Sequence, residues 1–391
     1  MVIQNSKIVF GGWYQRTTMH LTEVFGFLND KISRLDLDKE KLLEFHTNLG
    51  LKKVERKLDY LEYIEAIVEN GIKIKYYEDG LYVLETDKKN LENDSNKLKN
   101  YFHTKLKPAI DYLFSLGAPT PKILANIKDE HPIVIGEIVA NPKTKIIDEK
   151  IYGRIYSDIY SKNLRVLKTS KYIIILSSRK TQKELSNLID MQIFFREFKD
   201  QLHKYLNIHR KMWEDIDDIR ERIYIKGSDV GEKKSMLDSY QKTIQLIKNR
   251  INQMGSYAKT RSSLSQKLGV EGNLIDLFQY KYEDLFNSLD YIKEIWKMTN
   301  DYVNSAIKII DDIKSEISEN NLSSISFLVG VGVIAGIVEY FAPAKVPEIA
   351  LSGILYVASF GVLAIILNKA FSWYGKRKKY EVNFIERSKN V

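Results

Sequence analysis

From Phe278 onward, apolar residues return at alternating spacings of four and three: Phe278, Tyr282, Leu285, Leu289, Ile292, Trp296, then Thr299, Val303, Ala306, Ile310, Ile313 and Ile317. This is a heptad seam with Thr299 as its one polar position, and charges such as Asp284, Lys293 and Asp312 fill the outer positions. Charges stop at Glu319, and Asn320–Val338 is an uncharged run of nineteen residues. At ~1.5 Å per residue such a run is just long enough for a bilayer core of roughly 30 Å. The seam continues in register through Asn320, Ser324, Phe327, Val331, Ile334 and Val338. The spacing therefore predicts one long stalk helix over 273–342 that continues into a first transmembrane helix. A second uncharged run over 349–368 predicts a second transmembrane helix, and so short a connection makes the two a hairpin with both outer ends on one side.

The region before the seam divides by period. Residues 1–180 predict a mixed α/β cytosolic domain: Lys7–Trp13 as a strand, Thr18–Leu35 as a helix, and Lys39–Leu49 and Lys52–Val68 as two helices joined at Gly50. A hairpin follows, turning at Asp79-Gly80. Helix, turn, helix and hairpin over 18–87 resemble a winged-helix module, in which Lys52, Lys53, Arg56 and Lys57 would meet nucleic acid. The alternative is that these four side chains form a solvated face. Leu91–Leu116 predicts a helix ended by Pro119 and Pro121, and HPIVIGEIVA, LRVLK and KYIIILSS predict strands. Residues 181–272 predict helical stalk arms with seams of their own, Phe195, Phe198, Leu202, Tyr205, Met212, Ile216, Ile219 and Ile223 on the first, and Met236, Tyr240, Ile244, Ile247, Ile251 and Met254 on the second. The fold class expected is an α+β cytosolic domain, a long helical stalk and a C-terminal two-helix transmembrane hairpin.

Charge orients that plan. The chain of 391 residues carries a net charge of +9, and seven basic residues against two acidic ones lie in the tail beyond Asn368. The loop between the two uncharged runs has one lysine, Lys345, so the basic tail over 369–391 places both termini in the cytoplasm of a two-pass cell-membrane protein. The first residues lack a basic region followed by an apolar run, so no cleavable signal peptide is expected. The absence of cysteine removes disulfides, thiolate metal sites and cysteine nucleophiles. The six histidines have no metal spacing, and no Walker-type loop or nucleophile elbow occurs, so no enzyme activity is expected. Gly332 and Gly336 have the spacing that lets helices approach closely.

Two sets of residues on the long helix suggest ion chemistry. If the seam faces a pore in a homo-oligomer, Thr299, Asn320, Ser324, Phe327, Val331, Ile334 and Val338 line it, with a polar entry and an apolar constriction. Asp311, Asp312, Glu316 and Glu319, with Glu348 in the loop, would repeat as rings that concentrate cations. Carboxylate pairs between subunits would suit hydrated Mg²⁺ or another divalent cation. The alternatives are packing against neighbouring helices for the seam and simple solvation for the acids.

Val346-Pro347-Glu348-Ile349 after the first uncharged run, together with the order of parts, resembles the CorA family of divalent-cation channels and transporters. The position of that family's Gly-Met-Asn motif holds Tyr340-Phe341-Ala342 here, so the motif is absent. The resemblance implies a pentamer, membrane lipid as surroundings, and a cation channel or transporter with a cytosolic regulatory domain. The competing expectation is a non-conducting, membrane-anchored scaffold or regulator whose winged-helix-like segment binds nucleic acid or a partner.

Overall fold

A computed structural model describes residues 6–14, 21–58, 60–115, 131–178, 182–221 and 224–341, with 362, 365–366, 369–370 and 373–381. Most side chains of the long helix beyond Glu319 lie outside that description. Strands β1 (Ser6–Trp13), β2 (Leu51–Lys57), β3 (Tyr63–Val68), β4 (Lys73–Tyr77), β5 (Leu81–Asp87), β6 (Ile133–Ile138), β7 (Ile155–Ser161), β8 (Leu164–Thr169) and β9 (Tyr172–Ser177) make one sheet, ordered β2-β3-β4-β5-β1-β6-β9-β8-β7. Neighbours are antiparallel except β6 and β9, which run parallel. The helices are α1 (Leu21–Phe25, extended by a π turn over Gly26–Asp30), α2 (Lys39–Leu49), α3 (Leu91–Tyr101), α4 (Lys107–Leu113), α5 (Glu149–Tyr152), α6 (Gln182–Glu221), α7 (Val230–Lys267), α8 (Glu271–Phe278) and α9 (Tyr282–Phe341). A small ribbon pairs β10 (Tyr224–Lys226) with β11 (Lys379–Glu381). The chain divides into two units, one of residues 1–208 with 247–294, the other of 209–246 with 295–391.

In the first unit, side-chain alternation along β1 separates two unlike faces. Ile8 and Phe10 join the main apolar core, with Leu84 of β5, Ile74 of β4 and Ile64 of β3, and α1 to α4 cover it. The Phe10 ring lies 5.2 Å from Phe102 in the turn between α3 and α4. The helix ends follow local chemistry: Asp38 accepts hydrogen bonds from the amides of Glu40 and Lys41 at the start of α2, and Gly50 closes that helix in the left-handed region at φ 60°. On the other face the first half of α6 packs against β1 and β6. A side chain at Gly136 would strike Ile189, and one at Gly11 would strike the Tyr82 carbonyl of β5 and crowd Ile193, so both strand glycines help α6 come close. The hairpin expected at Asp79-Gly80 is present as β4 and β5, with Gly80 at φ 87°.

The expected helix over Lys52–Val68 is absent, and with it the winged-helix-like module over 18–87. That stretch forms β2 and β3. Its Lys, Glu and Leu residues favour a helix, but Ile64, Ala66 and Val68 are buried at every second position, and pairing with β4 decides the outcome.

The heptad seam buries itself within one chain. In the first unit Tyr282, Leu285, Leu289 and Ile292 are buried, with Tyr282 against Phe195 of α6 at 5.4 Å and Leu289 beside Gly255 of α7. In the second, Trp296, Thr299, Val303, Ala306, Ile310 and Ile313 are buried, Tyr302 lies 4.2 Å from Trp213, and Asn304 accepts a hydrogen bond from Gln241 at 2.9 Å. The helix expected to start within 273–278 is broken at Gln279, which stands in the left-handed region at φ 57° between α8 and α9.

The C-terminal transmembrane hairpin, and the two-pass cell-membrane placement built on it, are corrected here. Among the described residues no helix is long and apolar enough to cross a membrane. An uncharged run is not necessarily an apolar one: Asn320, Asn321, Ser323, Ser324 and Ser326 crowd the start of the stretch taken for the first span. α9 does continue unbroken to Phe341. The stretch taken for the second span, 349–368, lies almost wholly outside the described residues.

Candidate functional site

Charged residues occupy the second face of the sheet where α6 does not cover it. Seven side chains from five adjacent strands form an unbroken series of alternating sign. Lys53 meets Glu55 at 2.5 Å, and Glu55 lies 3.9 Å from Lys57. Lys57 meets Glu65 at 2.6 Å, and Glu65 meets Lys73 at 2.7 Å. Lys73 lies 3.8 Å from Glu85, which meets Lys7 at 3.0 Å. Strand register produces this lattice, because Glu55 is opposite Glu65, and Lys73 is opposite Glu85. Lys53 and Glu55 are exposed, whereas Glu65 and Glu85 are largely covered and only their lysine partners reach solvent. An exposed pair such as Lys53–Glu55 contributes only ~0–1 kcal/mol.

Beside the lattice, two deeper pairs fasten helices to the sheet. Lys75 of β4 reaches Asp190 of α6 at 3.0 Å and Ser186 at 2.8 Å, and the Tyr77 hydroxyl donates to the same carboxylate at 2.7 Å. Arg261 of α7 holds Asp79 through two hydrogen bonds of 2.6 and 2.9 Å, with its guanidinium 4.5 Å from the centre of the Tyr77 ring. Both members of the Arg261–Asp79 pair are almost wholly buried. The α6 and α7 residues wall a cleft of about 310 Å³ whose floor is the lattice.

The electrostatics of the cleft favour binding over proton transfer. Burial is the strongest single influence on Lys75 and acts to discharge it, but the Asp190 and Glu85 charges together with the hydrogen bond to Asp190 outweigh it and raise its pKa above the ordinary range. Burial likewise opposes the charge on Glu65, yet hydrogen bonds from Lys57 and Lys73 hold it below the usual carboxylate value. Burial, reinforced by Asp190, pushes the Tyr77 hydroxyl well up. Lys75 and Glu65 keep their charges through neutral pH and Tyr77 stays neutral, so none of the three is a proton donor or acceptor tuned near it. Six cationic side chains and three carboxylates line the cleft, so its field is positive with acidic islands.

Comparison with protein families and with curated proteins finds no match for this chain.

The residues expected to act in a pore or on nucleic acid are placed otherwise. Thr299 is fully buried within its own chain, donates to the Ile295 carbonyl at 2.8 Å and lies 2.7 Å from His209 Nδ1, so it faces no channel. The side chains of Asn320, Ser324, Phe327, Val331, Ile334 and Val338 lie outside the described residues, as does Glu348. Asp311 is paired with Lys234 at 2.7 Å and Glu316 with Lys378 at 3.0 Å, while Asp312 and Glu319 are exposed. Among the described residues no group of three or more metal-ligating side chains forms a cation site. Lys53 and Lys57 belong to the lattice, Arg56 binds Glu62 through two nitrogens, and Lys52 is exposed on β2. Three of the four charges read as a nucleic-acid patch are therefore engaged with carboxylates.

Sequence reasoning missed Lys75, Asp190 and Arg261, because the partners stand 115 and 182 positions apart. A signal was available nonetheless. Lysines at alternate positions of Lys73–Tyr77 put charge on one face of a strand whose other face is apolar.

Proposed function

We propose that this chain is a ligand-sensing regulatory protein whose α/β unit binds a small dipolar metabolite, carrying a carboxylate and an ammonium group, in the charged cleft. The observation that carries this reading is the alternating lattice on an accessible sheet face. A dipolar ligand can replace internal ion pairs one for one, its carboxylate at Lys73 and its ammonium group at Glu65, whereas a multiply charged anion meets Glu65 and Glu85 as well. The volume lies at the low end of small-molecule sites. A ligand here would also compete for Lys75 and Asp190, which join β4 to α6, and that competition supplies a route from occupancy to altered helix attachment. An α/β region ahead of long helices suits a regulatory role for this unit.

Calorimetric titration of the chain with free amino acids, and with their deaminated and decarboxylated analogues, tests the proposal. At least one amino acid should bind about tenfold tighter than either analogue, as expected for loss of one charge-assisted contact. Lys73→Gln and Glu65→Gln should each weaken it to a similar degree. Binding that ignores both substitutions, or no binding across the panel, refutes the assignment.

A further inference from the structure

A second opening in the same unit lies at the amino-terminal ends of the parallel strands β6 and β9, between the start of α3 and the middle of α6. It encloses about 1180 Å³ and shares no side chain with the charged cleft. Five cationic side chains and two carboxylates line it. Two polar groups on its wall have no hydrogen-bond partner: Nη1 of Arg196 and the hydroxyl of Ser95, in residues that are 8% and 4% exposed. Buried polar groups in native proteins are nearly always bonded, and a serine inside a helix commonly turns its hydroxyl to the carbonyl four residues back. The remainder of the Arg196 guanidinium is fixed, with Nε donating to Glu197 at 2.8 Å and Nη2 to the Gly11 carbonyl at 3.0 Å. Glu197 also accepts from His131 Nδ1 at 2.9 Å, so the arginine is clamped with one nitrogen unspent.

We infer that this groove binds a nucleoside phosphate. A clamped arginine beside Lys168 and Lys171 is the donor set for phosphate oxygens, and the mostly exposed Tyr156 offers a ring against which a base can stack. The groove has fewer carboxylates per cation than the cleft, and its larger volume suits a ligand with both a polyanion and a flat ring. Arg196 Nη1 and Ser95 Oγ are the two wall groups left with a bond to offer such a ligand.

The full chain titrated with metal-free ATP, ADP, adenosine and inorganic pyrophosphate tests the inference. ATP should bind, and adenosine should bind at least about tenfold more weakly. Lys168→Gln and Lys171→Gln should each weaken ATP by about the same factor with an unchanged thermal midpoint, and Tyr156→Ala should weaken ATP but leave pyrophosphate unaffected. Lys73→Gln, in the separate cleft, should leave ATP binding untouched. The inference is overturned if no phosphate-bearing probe binds, if Lys168→Gln and Lys171→Gln change nothing, or if pyrophosphate matches ATP and Tyr156→Ala is silent. The last outcome would mark a site for inorganic anions alone.

Discussion

Arg261 and Asp79 show how unevenly charges contribute along this face. The lattice lysines are partly hydrated and individually cheap to lose, whereas Arg261 is out of water, and without it Asp79 is left buried and unpaired. Arg261→Ala should therefore destabilise the chain by ~3–5 kcal/mol, seen as a lower denaturant midpoint. The double change Asp79→Asn with Arg261→Met should recover most of that loss, since no charge is stranded. A small effect of Arg261→Ala alone would mean that the pair is far wetter than its burial indicates. At His209 the residue scale becomes a pH effect. The single Thr299 proton goes to the Ile295 carbonyl, so His209 Nδ1 donates to the hydroxyl, and burial, with Arg210 nearby, holds the ring's pKa below its ordinary 6.5. As pH falls the unfolded chain takes up the proton first. Stability should accordingly be full above about pH 6.5 and decline below it until the folded pKa is passed. Denaturation midpoints at pH 8, 7, 6 and 5 should show this decline, and His209→Asn should flatten it; an identical slope in the variant would assign the decline to other groups.

Elements were legible where one period dominated. The seam of α9, the strands β1, β6, β8 and β9, and the hairpin at Asp79-Gly80 all follow directly from spacing and turn chemistry. Lys52–Val68 was not legible, because its composition favours one structure while its buried pattern, set by β4, imposes another. The seam also carried no label for its partner: a stripe covered by α6 and α7 of the same chain has the same spacing as one covered by a second copy. The break at Gln279 had no proline or glycine to announce it. There the backbone takes a left-handed conformation that costs most residues about 1 kcal/mol and glycine little. Gln279→Gly should raise the thermal midpoint, with a gain of up to ~1 kcal/mol by denaturant titration. A loss instead would show that the glutamine side chain holds the α8–α9 joint.

At the scale of the whole molecule, a run without charges was not enough to establish a membrane span. Among the described residues no helix is long and apolar enough to cross a membrane, and the orientation argument built on the basic tail loses its basis with it. The candidate sites were illegible for a different reason. Each is assembled from segments that meet only once the nine strands take their order, so no local motif could reveal the Lys75–Asp190 pair or the Arg196 clamp. Their raw material was in view as alternating charge within strands.

That strand order has one more result, at the end where β2 stands. An outermost strand offers its unpaired amides and carbonyls to any passing copy, and lysine is a common guard against such recruitment. Lys52 and Lys53 stand on that strand and are exposed. Changing both to valine should produce concentration-dependent light scattering and a growing β signal on storage, while retention on DNA stays as it was. A variant that remains monodisperse would show that the rim is protected by something other than its charge.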